Sequence, residues 1–208
     1  MKRRYIAWGV AMLLLMGGCF YTSMDANALL EEAFNQESEF LPFELVLEDE
    51  EGWKMHVFAE SEARQRVDSY INDSLLYSEL YDGQKLFEVD HQTNEVYEYE
   101  REGLISTGRN YLVNEIDYLS STHDIRFSES KKNKLLKRNV FHVEFYQDDV
   151  LEYELWVDKQ SLVVLKQTEH INGEQIGLEA SYFKINPDIP EGVFILDEQA
   201  YHFVHDDE

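Results

Sequence analysis

The sequence has one cysteine, three prolines and only 18 basic residues against 42 acidic ones in 208 positions. A single thiol excludes an internal disulfide, so stability has to come from packing. Two of the prolines, Pro187 and Pro190, stand close together near the end of the chain. Proline cannot donate to a strand ladder, so the chain must leave any sheet at that point. The shortage of Lys and Arg excludes a nucleic-acid binder, because affinity for phosphate backbones comes from clustered cations. The ten glycines are spread along turns and form no phosphate-cradling loop, and no Gly-x-Ser-x-Gly elbow occurs. Carboxylates are so frequent that no Asp or Glu pair stands out as an acid and base set. The expectation is therefore a protein without enzyme activity, cofactor or metal. His202 and His205, beside Asp206-Asp207-Glu208, read as part of an acidic tail. His56, His91, His123, His142 and His170 are scattered without ligand spacing.

What is present begins with a basic head, Lys2-Arg3-Arg4, followed by an uncharged stretch from Tyr5 to Gly18. A membrane-spanning helix needs about 20 apolar residues, so this shorter run fits the h-region of a secretory signal. Leu15-Met16-Gly17-Gly18-Cys19 resembles a bacterial lipobox. The resemblance implies cleavage before Cys19 and a diacylglyceryl group on its sulfur. A buried structural cysteine is the competing reading, against which stand the basic head, the apolar run and the missing second thiol. Two acyl chains give stable membrane attachment where one gives only marginal binding. Loss of residues 1–18 removes three basic residues, leaving 15 against 42 acidic ones and a net charge of −27 on 190 residues.

Residues 19–24 then form a lipidated tether, and 25–196 a single domain. Asp25 is placed to cap a short helix through Ala26, Leu29, Leu30, Ala33 and Phe34, which fall at three- and four-residue steps. From Leu41 the period becomes two. Phe43, Leu45 and Leu47 alternate with polar neighbours, Asp49-Glu50-Glu51-Gly52 turns the chain, and Trp53, Met55 and Val57 alternate again. Strands are predicted at 64–71, 75–81, 85–90 and 95–100, with turns rich in Asn, Asp and Gly between them. Tyr111, Leu112, Ile116 and Leu119 mark a second helix starting near Gly108. Lys131 to Arg138 holds five basic residues in eight, either a solvated loop or a contact for anionic headgroups or an acidic partner. Strands resume at 140–147, 150–158, 162–169 and 175–185. On them Phe141, Val143 and Phe145 share one face, as do Leu151, Tyr153, Leu155 and Val157, with an acidic opposite face. Val193 to Leu196 is read as a short last strand and 197–208 as a loose acidic tail.

Three segments carry a family resemblance: "YDGQKLFEVDHQTNEVYEY" (Tyr81–Tyr99), "ELWVDKQSLVVLKQTEHINGEQ" (Glu154–Gln175) and "FKINPDIPEGVFIL" (Phe183–Leu196). In this order they resemble the LolA-like superfamily of lipoprotein carriers. The resemblance implies a mainly β, α+β fold: a strongly curved antiparallel sheet forming an incomplete barrel, two short helices as its lid, and a cavity that accepts acyl chains. Those carriers are soluble shuttles, whereas Cys19 implies a tether. The nearer resemblance is therefore to lipid-anchored LolA-like proteins of Gram-positive bacteria, some of which serve in sporulation and germination.

Phe43, Leu45, Trp53, Met55, Phe87, Phe141, Phe145 and Tyr153 are the candidates to line such a cavity. Core packing and a partly empty cavity put the same residues on the same face, and the sequence leaves both open. Two functions follow as expectations, both on the outer face of the bacterial cell membrane. One is a non-enzymatic, lipid-anchored protein holding a lipid or lipoprotein acyl chain. The other is an interaction protein that docks and supports an envelope enzyme such as a cell-wall hydrolase. Replacing Cys19 with Ser is expected to move the protein from the membrane fraction to the soluble one; a Cys19→Ser chain that resists a carbonate wash would show that Cys19 is not the anchor.

Overall fold

The computed structural model describes residues 40–100, 109–128, 134–197 and 199–204. Cys19, the tether, the helix expected after Asp25, Lys131 to Asn133 of the basic run and His205 to Glu208 lie outside the described residues. The chain forms strands β1 (Phe43–Glu48), β2 (Trp53–Ser61), β3 (Arg64–Ile71), β4 (Ser74–Tyr81), β5 (Lys85–Asp90) and β6 (Glu95–Glu100). Helix α1 (Arg109–Ser120) follows, then β7 (Asp124–Ser128), β8 (Lys134–Leu135), β9 (Arg138–Gln147), β10 (Val150–Asp158), β11 (Val164–Ile171) and β12 (Glu174–Ile185). A 3₁₀ turn (Glu191–Phe194) and β13 (His202–Val204) end the fold.

These elements make one open sheet of 13 strands in the order β13-β6-β5-β4-β3-β2-β1-β12-β11-β10-β9-β7, with β8 paired to β9. Two antiparallel meanders, β1 to β6 and β9 to β12, join where β1 pairs with β12, Phe43 opposite Ile185 and Leu45 opposite Phe183. Two-residue turns in the left-handed region close four of the hairpins: Asn72-Asp73, Asp148-Asp149, Asn172-Gly173 and Leu136-Lys137. Asn, Asp and Gly tolerate that conformation and match the right-handed strand twist. Between β11 and β12 the strands come so close that a Cβ on Gly177 would lie 2.1 Å from the carbonyl oxygen of Gln167, so a hydrogen alone fits there.

Cross-strand register assigns the two faces. The inner face carries Phe43, Leu45, Val57, Ala59, Val67, Tyr81 and Leu86 in one buried cluster. Phe141, Val143, Phe145, Tyr153, Leu155 and Val157 form another, under Leu112 and Ile116 of α1. A register shift between Trp156 and Val157 lets β11 serve both, Val164 in the second cluster and Leu165 in the first. α1 is the one α-helix among the described residues, where the sequence predicts two lid helices. It is not long and apolar enough to cross a membrane.

Four expectations change. Leu151 does not share the face of Tyr153: a register shift puts Leu151 opposite Tyr146 and Tyr153 opposite Phe145, and an extra residue in one strand reverses which face its successors occupy. Residues 134–138 form the β8–β9 hairpin, with Leu135 opposite Arg138, instead of an open loop. Val193 to Leu196 does not form a strand; Glu191–Phe194 is a 3₁₀ turn, its Val193 carbonyl accepting from Arg66 Nη1 at 2.8 Å. The acidic tail is not a loose end throughout, because His202–Val204 pairs in parallel with Glu95–Tyr97.

Asp158, 1% exposed, holds the β10–β11 turn to β9. Its carboxylate accepts from Arg138 Nε at 2.6 Å and Nη2 at 3.0 Å, and from Ser161 N at 2.9 Å and Ser161 Oγ at 2.8 Å. The Arg138 guanidinium also lies over the Phe183 ring, 5.0 Å from its centroid. One charge of the basic run is thus turned inward to the fold. Asp158→Ala removes the carboxylate from Arg138, which keeps only Gln160 Oε1 at 3.0 Å, and from three turn donors, Gln160 N, Ser161 N and Ser161 Oγ, and is expected to cost about 3–5 kcal/mol in urea unfolding.

Candidate functional site

The eight side chains expected to line a cavity fall into four groups. Phe43 and Leu45 are buried in the first cluster, with Met55 packed against it. Phe141, Phe145 and Tyr153 are buried in the second, where the Phe145 and Tyr153 rings lie 5.7 Å apart. Trp53 sits half-buried at the start of β2, opposite Ile71. Phe87 is on the other face: it pairs with Leu80, while its neighbour Leu86 pairs with Tyr81 on the inner one. Strand alternation forbids adjacent residues from sharing a face, so Leu86 occupies the inward place.

Two clefts among the described residues lie elsewhere. One of about 380 Å³ runs over Glu48, Lys166, Thr168, Gln175 and Glu179. The other, about 230 Å³, lies between Tyr77, Glu79, Glu88, Asp90 and Tyr97. Neither contains any of the eight candidates, and both are lined largely by polar side chains. On the inner face of β4 and β6, Tyr77 and Tyr99 remain exposed.

The outer face gathers the polar chemistry. On β9, β10 and β11 one carboxylate, Glu154, is 9% exposed and meets two imidazoles. His142 Nε2 lies 2.5 Å from one of its oxygens and His170 Nε2 lies 2.7 Å from the other. Glu144 stands directly across from Glu154, its oxygen 3.7 Å from His142 Nδ1. Trp156 stacks on the His142 ring, centroids 4.4 Å apart at 14°, which fixes the ring plane. His56 pairs with Glu44 at 2.9 Å on the same face, and His123 with Glu152 at 3.2 Å. Histidines that look scattered in the sequence are brought to carboxylates by strand pairing alone. The available sequence signal was register, but the β9–β10 turn alone sets 144 opposite 153; only the register shift between Leu151 and Tyr153 brings 144 opposite 154 and 142 opposite 156.

A second polar group ties down the C-terminal segment where it crosses the outer face. Arg66 Nε donates to Asp68 Oδ1 at 2.7 Å, and Ser78 Oγ donates to the same oxygen at 2.5 Å. His91 Nε2 lies 2.8 Å from Ser78 Oγ, and Tyr201 OH lies 3.1 Å from His91 Nδ1. With Ser78 donating to Asp68, a neutral His91 donates from Nε2 and accepts from Tyr201 at Nδ1. Ser78 therefore stands between carboxylate and imidazole and is buried. A hydrolytic triad needs the imidazole in the middle and an accessible serine. The chain thus fastens the segment leading to β13 and is not laid out for acyl transfer.

Burial pushes the His91 imidazole below the usual histidine range; Asp68 and Asp90 oppose the shift and Arg66 adds to it. The unfolded chain then takes up this proton at higher pH than the folded one. The stability that His91 contributes is present above about pH 6.5 and is lost as pH falls through the lowered folded value. Urea midpoints measured between about pH 8 and 5 are expected to fall more for the parent chain than for His91→Gln, which keeps a donor but does not titrate.

No protein-family model and no curated protein matches the sequence. Solved structures do match in shape. A crystal structure of an uncharacterized conserved protein from Thermus thermophilus matches with TM-score 0.57 at 12% identity, over 86% of this chain and 99% of that one. MucB matches with TM-score 0.55 at 12% identity, over 85% of this chain and 65% of MucB. MucB in complex with MucA(peri) gives 0.51 at 15% identity, over 83% of this chain and 58% of that one. This chain thus spans somewhat less than two thirds of MucB. A LolA superfamily protein from Nitrosomonas europaea also matches, with TM-score 0.31 at 13% identity over 83% of this chain. What this chain shares with the Thermus protein and with MucB is a fold, one large open sheet with few helices.

Proposed function

We propose that this is a lipid-anchored, non-enzymatic protein of the bacterial envelope, held on the outer face of the membrane by Cys19, whose work is to dock a protein partner such as a cell-wall hydrolase. The observation that carries this reading is the packing of the inner face. Phe43, Leu45, Phe141, Phe145 and Tyr153 are buried in two apolar clusters, which supports a reading in which they brace the sheet. Burial of this kind makes a rigid platform, since close-packed interiors transmit shape and yield little. The shared fold adds support, because MucB has been crystallised with MucA bound. A fold alone assigns no function, so the docking role rests on the packed inner face together with that precedent. A role in sporulation or germination follows from the LolA-like resemblance only.

One observation favours the lipid-holding reading: Tyr77, exposed on the inner face, borders the cleft of about 230 Å³ at the β4–β6 end. The two readings part in one experiment on protein purified from its native membrane. Docking predicts a single partner recovered in stoichiometric amount by reciprocal pull-down, and no lipid beyond the Cys19 anchor in the solvent extract analysed by mass spectrometry. A molar equivalent of additional lipid, with no stoichiometric protein, replaces docking by lipid carriage.

A further inference from the structure

We propose that His142, Glu144 and Glu154 form a binding site for a divalent metal ion of the zinc class on the outer face of the sheet. One ligand atom from each of the three lies within 4.8 Å of the others; His142 faces Glu154 through Nε2 and Glu144 through Nδ1, so an ion at the about 2.0–2.2 Å that zinc requires takes one of these nitrogens and draws the other carboxylate round to it. The residues come from β9 and β10, paired neighbours in one antiparallel ladder, so their backbones are fixed relative to one another before any ion arrives.

Three further observations point to a cation. Glu144 and Glu154 are directly opposite each other on paired strands, an arrangement in which like charges repel. Among the described residues no lysine or arginine meets either of them. Arg126, across from Glu144 on β7, is bonded to Asp124 and Asp149, and Lys166 is bonded to Glu179. Glu154 is also one of the few buried carboxylates; its partners are the imidazoles of His142 and His170, and an ion on His142 would replace the direct contact between that ring and the carboxylate.

The surroundings resemble the outer shell of a metal site. His170 holds the far oxygen of Glu154 at 2.7 Å, leaving one oxygen to bind an ion. Trp156 fixes the His142 ring, and Tyr146 OH donates to Glu144 at 3.2 Å. Partners of this kind orient ligands and raise their basicity. Imidazole with carboxylates suits zinc, whereas magnesium and calcium favour oxygen ligands alone. Three protein donors leave a fourth position for water or a group from a partner. The His56–Glu44 pair on the same face has a single carboxylate and serves as the internal control.

The test is calorimetric titration of zinc chloride into the full chain carrying Cys19→Ser, which removes the only thiol. One saturable site is expected, with zinc raising the thermal midpoint. Glu154→Gln and His142→Asn should each weaken zinc about ten-fold or more, His170→Asn about 10- to 100-fold, and His56→Asn should change nothing. If Glu154→Gln fails to fold, Glu144→Gln, which is less buried, carries the same comparison. Absence of a saturable site, or an affinity that the Glu→Gln variants leave unchanged, overturns the proposal and marks any zinc uptake as adsorption to an acidic surface.

Discussion

Phe43 to Glu48 and Glu174 to Ile185 are separated by more than half the chain, and their pairing turns two meanders into one sheet. Each meander alone is built from neighbours in sequence and has free strand edges on both sides. Once β1 lies between β2 and β12, Phe43 and Leu45 are covered by groups from both halves, including Val163, Leu165 and Ala180. Contacts so distant in sequence form only after the loop-closure entropy has been met, so this step depends on the meanders being formed first. The inner core, the position of α1 and the exposure of the outer face all follow from it.

The same pairing explains why the two faces have different characters. The inner face buries the apolar residues of both meanders, those of β9 and β10 under Leu112 and Ile116 of α1. The outer face is where the excess of carboxylates must go, and strand register then decides which histidine meets which glutamate. His142 and His170 are 28 positions apart yet converge on Glu154 because β10 lies between β9 and β11. The C-terminal segment adds a cover to part of that face, fastened through Arg66, Ser78, His91 and Tyr201.

Most strands are legible in the sequence where alternation and turn chemistry agree. Arg64–Ile71, Lys85–Asp90, Glu95–Glu100 and Val150–Asp158 have the predicted bounds, each flanked by Asn, Asp or Gly. α1 is legible from Leu112, Ile116 and Leu119 at helical steps. The β8–β9 hairpin is not, because its turn is Leu136-Lys137, residues that carry no turn signal and sit in a basic run. β13 escapes for another reason: three residues in parallel pairing leave neither alternation nor a hairpin turn to detect. Of the side chains proposed to line a cavity, their apolar placement was legible for Phe43, Leu45, Phe141, Phe145 and Tyr153, and their packing was not. Phe87 was assigned to the wrong face because Leu86 beside it is equally apolar.

By itself the sequence determines the local grammar: strands where polar and apolar residues alternate, turns where Asn, Asp and Gly permit left-handed backbone, a helix where apolar residues recur at three and four, and an acidic surface. These depend on neighbours within a few positions. Only the tertiary structure decides whether the apolar face is a hollow or a packed core, which face a bulge delivers Leu151 to, where the tail docks, and that His142, Glu144, Glu154 and His170 form one cluster. Each of those outcomes turns on pairing between distant strands, where a shift of one residue exchanges the faces, and no short window of sequence contains that information.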